Sequence, residues 1–219
     1  MATTAPKGLT RARIVEAALD VLDDDGIDAV TVRAVAKRLG VQAPALYWHV
    51  KHKQELLDEM GTEIQRRVIA ASQPVADAAW PELLGGYARA LRTEYLAHRD
   101  GARTFSGTRT TDPAVLRAQE PMLRAAVAQG VDLEHAVTAA ELVTAFVVGW
   151  VIEEQERGSR PQEYTLAERT AALGDDAPLT AAAGGILARD REQRFEQQLA
   201  TILAAATGPA AAAAPRPEN

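Results

Sequence analysis

The densest set of residues able to do chemistry lies between Thr31 and Lys53. This stretch carries Arg33, Lys37, Arg38, Lys51 and Lys53, the histidines His49 and His52 and the aromatic pair Tyr47-Trp48, and it contains no acid. Such a set offers cationic and polar donors to a polyanion, or it is the solvated face of a basic helix. Catalysis is poorly served elsewhere. The four histidines (His49, His52, His98, His135) are scattered, and there is no HExxH, no GxSxG and no Gly-rich phosphate loop. Glu153-Glu154 resemble a carboxylate pair, but neighbours on a helix point about 100° apart and cannot share one site. With no cysteine, thiolate chemistry, disulfides and cysteine-ligated metals are excluded. No cofactor or metal site is expected, and a helical enzyme is a remote alternative.

The elements that must position the basic cluster follow from composition and pattern. Of 219 residues, 47% are hydrophobic, 25% charged and 5% aromatic, and about a fifth are alanine. Alanine is the best helix former, and β-rich chains need more β-branched and aromatic residues, so the chain reads as an all-α globular protein. The formal charge of −6 seems to argue against a polyanion partner until it is located. Thr31–Lys53 carries +5, leaving 19 basic and 30 acidic residues, or −11, on the rest. A small basic face sits on an acidic body.

Thr10 should cap a helix whose apolar residues Ile14, Ala17, Ala18, Val21 and Leu22 follow the 3.6 period and which stops at Asp25-Gly26. Thr31 should cap a second, with Val30 and Val35 as its hydrophobic staple, Val32, Val35, Ala36 and Leu39 facing inward, and Gly40 ending it at positive φ. A third, from about Ala43 to His49, tolerates Pro44 in its first turn. Two short helices joined by a Gly-containing turn after a supporting helix form a helix-turn-helix. Lys53 opens a longer helix to about residue 71. After a link at 72–79 we expect a helix from Pro81 to near Arg99, one from Asp112-Pro113 to Gly130 kinked at Pro121, and an apolar one from Asp132 to about Glu156. A loop with a weak helical piece at 167–173 should fill 157–185, and a last helix should run from about Ile186 to Ala206. Residues 1–9 read as a flexible arm and 208–219 as a disordered tail. No signal peptide is evident, and Thr138–Ile152 is too short to span a bilayer, so it is read as a buried helix. A cytoplasmic protein without membrane contact is expected.

The residues Ile14-Val15-Glu16-Ala17-Ala18-Leu19, Gly26-Ile27, Thr31–Ala36, Leu39-Gly40-Val41, Pro44–Val50 and Lys53 resemble the DNA-binding domain of TetR-type repressors. Ala97–Ala102 and Gly149–Gln155 resemble the regulatory core of the tetracycline-repressor branch of that family. The resemblance implies a three-helix DNA-binding domain over 10–71 and a helical ligand-binding and dimerisation domain over 72–207. It implies a homodimer that binds double-stranded operator DNA with palindromic half-sites, and release of that DNA by a small molecule. An activator of the same fold is the alternative.

A helix-turn-helix directs the N-terminal residues of its second helix at base edges, which puts Gln42, Ala43, Pro44, Ala45 and Tyr47 at the groove. Arg33 resembles the position from which the family reads guanine. Thr31, Tyr47, Trp48, His49 and Lys53 resemble its phosphate contacts, with Trp48 alternatively a wedge between helices and Leu46 and Val50 in the core. Ala43 stands where the tetracycline repressor has a glutamine, so a different operator is expected.

The family's pocket positions fall on Ile69, Tyr87, Leu91, Phe105, Thr108, Trp150 and Glu153. Thr108 and Glu153 agree with residues that serve magnesium–tetracycline, whereas Phe105 stands in place of the metal-binding histidine. Ile69 and Tyr87 replace a histidine and an asparagine that grip the drug, and Leu91 replaces an aromatic. The resemblance therefore points to a small apolar or aromatic effector, not magnesium–tetracycline. Phe105 and Trp150 are alternatively core residues, and Glu153 a surface or interface carboxylate. The long apolar helix and the last helix, with more apolar surface over Val137–Ile152 and Leu199–Leu203 than a monomer would cover, should form the dimer interface.

Overall fold

The computed structural model describes residues 8–73, 78–159, 165–174 and 176–206. Over these residues the chain is all-α, an N-terminal helix-turn-helix bundle followed by a larger helical body. Most of the arm, the tail and positions 74–77 of the link lie outside the described residues.

The bundle begins with α1 (Arg11–Asp25), whose N-cap Thr10 accepts from the Arg13 amide at 3.3 Å. Ile14, Ala17, Ala18, Val21 and Leu22 fall on one face and are all buried. Full burial of side chains the size of Ile14, Val21 and Leu22 stabilises by about 1.5–3 kcal/mol each. Thr31 caps α2 (Val32–Arg38) by accepting from Ala34 N at 3.1 Å. At the end of α2, Gly40 adopts φ +67°, and the amides of Gly40 and Val41 return to the carbonyls of Lys37 and Ala36. This turn needs the left-handed conformation that glycine adopts without cost. α3 (Ala43–Leu46) is shorter than its pattern suggests, because Tyr47–His49 continue as turn. Leu9, inside the expected arm, packs on the core, and the Gly8 carbonyl accepts from Arg13 at 2.7 Å.

α4 (Lys53–Ala71), capped by His52, packs against both α1 and α5 (Trp80–Leu96) and so bridges the two halves. The short α6 (Gly101–Phe105) follows. The helix expected to kink at Pro121 is instead two helices, α7 (Pro113–Arg117) and α8 (Glu120–Ala128). Pro121 lacks the amide an interior position would use, so the chain restarts there with proline in the first turn. α9 (Leu133–Ser159), capped by Asp132, packs on α5, α6, α8 and α12 (Arg191–Ala206). The segment read as a loop holds α10 (Leu166–Leu173) and α11 (Pro178–Leu187), which pack on each other. Gly184 admits the Leu166 side chain, a close approach a periodicity argument does not register. Ile186 accordingly belongs to α11 and not to the last helix.

The apolar helix is not simply buried. Leu133–Gly158 is long and apolar enough to cross a membrane: its most apolar 18-residue window has a mean hydropathy of 1.7, and only 28% of that window is buried in the protomer. Ala136, Ala139, Val143, Val147 and Val151 face the core, while Leu133, Val137 and Leu142 are exposed.

Candidate nucleic-acid interface and ligand cavity

At the basic end, Leu46 and Val50 are fully buried and fix α3 to the bundle. Thr31, Arg33, Gln42, Pro44, Tyr47, Trp48 and Lys53 are exposed; Ala43, Ala45 and His49 are half-buried. Trp48 is 67% exposed and so does not act as a wedge between helices. A tryptophan and a tyrosine left in solvent beside a proline-started helix are costly unless they meet a surface. His49 turns its Nε2 inward, where it is buried with no hydrogen-bond partner among the described residues.

The five basic residues are not equivalent. Arg38 is paired back to Asp24 at 2.6 Å and Asp20 at 3.6 Å, and Asp24 holds its guanidinium above the ordinary range. Lys53 donates from Nζ to the Ile27 carbonyl at 3.1 Å, keeping two hydrogens for another acceptor. Arg33, Lys37 and Lys51 make no side-chain ion pair among the described residues, so the exposed, unpaired positive charge lies on α2 and just beyond α3.

A cavity of about 690 Å³ opens between the end of α4, α5, α8 and α9. Of the seven expected pocket residues only Ile69 and Tyr87 line it. Leu91 is fully buried in the core. Phe105 packs against Tyr95 (ring centroids 6.0 Å) and edge-on to His98 (5.7 Å), so its alternative reading as core is the one the packing favours. The Thr108 hydroxyl donates to the Phe105 carbonyl at 2.8 Å and its side chain lies against Gly61. Trp150 joins Phe146 and Phe195 in a ring cluster, and Glu153 pairs with Arg157 at 2.9 Å; both border a second cavity of about 350 Å³ between α9 and α12. The cavity is also lined by Ser106, Gln119, Met122 and Leu123, with Val137, Glu141, Thr144 and Val148 on α9, none of them among the expected pocket positions. The last four recur at helical spacing, a stripe the sequence carries but which reads as ordinary core.

Within the cavity the hydrogen-bond directions are fixed. Thr144 donates to the Ala140 carbonyl at 2.8 Å, so Tyr87 is the donor in its 3.2 Å contact with Thr144. Burial pushes the Tyr87 hydroxyl above its ordinary range.

Two sets of contacts join the cavity to the basic end. Beyond Ser106 the loop lies along α4: Arg109 N donates to the buried Asp58 at 3.1 Å and Thr111 N to Thr62 at 2.9 Å. Gly61 permits this approach, since a Cβ there would overlap Thr108. The second set ties α9 to the end of α1. Gln155 donates to the His98 carbonyl at 2.9 Å, His98 Nδ1 lies 3.0 Å from Asp23, and Asp100 accepts from Ile27 N at 3.3 Å.

Residues 14–60 match the family described as bacterial regulatory proteins, tetR family, and residues 73–206 match the tetracyclin repressor-like, C-terminal domain. Among characterised proteins, the tetracycline repressor protein class A from transposon 1721 of Escherichia coli is 40% identical over 193 residues, 87% of each chain. A possible TetR family transcriptional regulator from Streptomyces coelicolor has a similar structure (TM-score 0.77, 37% identity, 90% of this chain and 98% of that one). So does the Streptomyces coelicolor TetR family protein ActR in complex with actinorhodin (TM-score 0.80, 30% identity, 95% and 100%).

Proposed function

The chain belongs to the TetR family of bacterial regulatory proteins, and from that premise we propose that it is a repressor released from DNA by a small apolar or aromatic effector other than magnesium–tetracycline. Family membership makes it a ligand-binding, DNA-binding transcriptional regulator and not an enzyme. The finer reading is that a homodimer binds a palindromic operator, with two copies of α3 in successive major grooves. In this reading Arg33 and Gln42 contact base edges, the small residues Ala43, Pro44 and Ala45 meet thymine methyls, and Thr31, Tyr47, Trp48, His49 and Lys53 hold phosphates.

The observation that carries the proposal is the exposed, unpaired edge formed by Arg33, Lys37, Lys51 and α3 on an otherwise acidic protein. The homodimer is supported by the uncovered apolar face of α9, since a helix this hydrophobic needs a second surface. The donor set does not fit a magnesium–tetracycline chelate. Phe105 offers no ligand atom, and Glu153 is paired with Arg157.

Release requires that the effector prefer a conformer whose two α3 helices are misplaced for the grooves. Ser106 lies in the cavity wall, and the loop after it is latched to α4. A ligand that displaces this wall therefore bears on the helix that leads to the DNA-binding bundle. The test is a mobility-shift titration with the gene's own upstream DNA. A specific complex that Arg33→Ala weakens supports the reading; equal affinity for a scrambled duplex contradicts it.

A further inference from the structure

Proton bookkeeping in the 690 Å³ cavity narrows the class of ligand it takes. The polar side chains at its α4 end have donated inward: Ser72 gives its hydroxyl hydrogen to the Val68 carbonyl at 2.8 Å, and Gln73 gives an amide hydrogen to the Ile69 carbonyl at 2.8 Å. On the α5–α9 side, Tyr87 donates to Thr144 and Thr144 to Ala140. What these oxygens still present to the cavity is lone pairs. Uncommitted side-chain donors in the wall are confined to Ser106, Gln119 and the second amide hydrogen of Gln73.

The charge in the wall has the same sense. Among the described residues lining the cavity, Glu141, exposed on α9, is the only charged one, and it has no ion-pair partner among the described residues. It lies three residues before Thr144 on α9, so its carboxylate is on the same face as the Tyr87–Thr144 pair. Among the described residues no lysine, arginine or histidine lines the cavity. The remaining surface is apolar, supplied by Ile69, Met122, Leu123, Val137 and Val148 among others.

We infer that the effector is an apolar, ring-containing molecule carrying a protonated amine. Its ring body fills the apolar part of the cavity, and its ammonium hydrogens meet the Glu141 carboxylate and the lone pairs of the Tyr87–Thr144 pair. An anionic ligand of the same shape finds uncommitted side-chain donors only at Ser106, Gln119 and Gln73 and faces the Glu141 carboxylate, which disfavours it. This inference rests on reading the cavity as the effector site, and the test separates the two.

Three probes of one ring system differ in charge: proflavine, protonated at its ring nitrogen and carrying two amino groups, as cation, acridine as neutral species and 9-acridinecarboxylate as anion. Each is titrated into the full-length protein in the absence of DNA, at mildly alkaline pH, and followed by fluorescence anisotropy. Proflavine should bind at least about tenfold more tightly than the anion, as expected for one charge-assisted contact. Glu141→Gln should remove that advantage and leave acridine binding unchanged, which also reports that the variant is folded. Glu141→Lys should reverse the order of cation and anion. Ala140→Trp, which fills the cavity, should abolish binding of all three. Loss of binding in Ala140→Trp with no charge preference in the wild type, or with proflavine unaffected by Glu141→Gln, overturns the amine inference and leaves the effector site standing. Binding that persists in Ala140→Trp, or no binding of any probe to the wild type, overturns both.

Discussion

The two halves of the molecule differ in how completely one protomer satisfies them. In the helix-turn-helix unit the apolar faces of α1, α2 and α3 close on one another, and the residues expected to meet DNA are left exposed or half-buried. In the helical body, α9 leaves a long apolar face open and borders a cavity with unspent hydrogen-bond acceptors. The first half is a finished scaffold carrying a binding edge. The second is finished only by what joins it, a second copy and a ligand. Regulation needs this asymmetry, since an effector acts only where alternative arrangements lie close in free energy.

The comparison breaks most visibly at α9. Leu142 is 60% exposed on its uncovered face. Leu142→Arg should leave the helical content intact but convert the protein to a monomer in analytical ultracentrifugation. It should weaken binding to upstream DNA by about a thousandfold, because specific affinity relies on two half-sites held together. At the binding edge the effect is smaller and confined to recognition. Arg33→Ala should cost about 1–3 kcal/mol of specific binding with no change in melting temperature, while Lys53→Met should weaken all duplexes alike and lower the salt slope by about one.

The connection between the halves can be probed at Gly61. Gly61→Ala forces a Cβ onto Thr108 and should destabilise the protein by about 1–3 kcal/mol in denaturant unfolding. Thr108→Gly in the same chain should recover most of that loss, a coupling a double-mutant cycle reads directly. The smallest effect lies at the outer edge. Arg89 donates to Glu196 at 2.8 and 2.6 Å and holds that carboxyl below its usual range. The contribution is present above the unfolded carboxyl pKa and is lost as the pH falls through the folded one. On acidification the melting temperature of the wild type should therefore fall more steeply than that of Glu196→Gln.

The same asymmetry decided what the sequence made legible. Caps at Thr10 and Thr31, the turn at Gly40 and the burial of Leu46 and Val50 are local matters, set by residues a few positions apart, and each was readable. The cavity was not. Positions carried over by resemblance brought Ile69 and Tyr87 to it, but Phe105 packs on Tyr95 and His98 across the short turn between α5 and α6, and Thr108 lies against Gly61, distant in the chain. Glu141 and Thr144 look like any polar interruptions of an apolar helix until Tyr87 and the α4 end are placed opposite them. Pro121 marks a helix start as readily as a kink, and only the break after Arg117 decides between them. The charge partition held in outline, but Arg38 proved to be neutralised by Asp20 and Asp24, which narrows the basic edge toward Arg33 and α3.

The most direct measurement of the central claim is a hydroxyl-radical footprint of the full-length protein on its own upstream DNA. A two-fold symmetric regulator predicts two protected patches of related, inverted sequence centred about 34–36 Å apart or a multiple of it, both lost with Leu142→Arg. A single patch, protection independent of sequence, or a footprint unchanged in that variant would contradict the account.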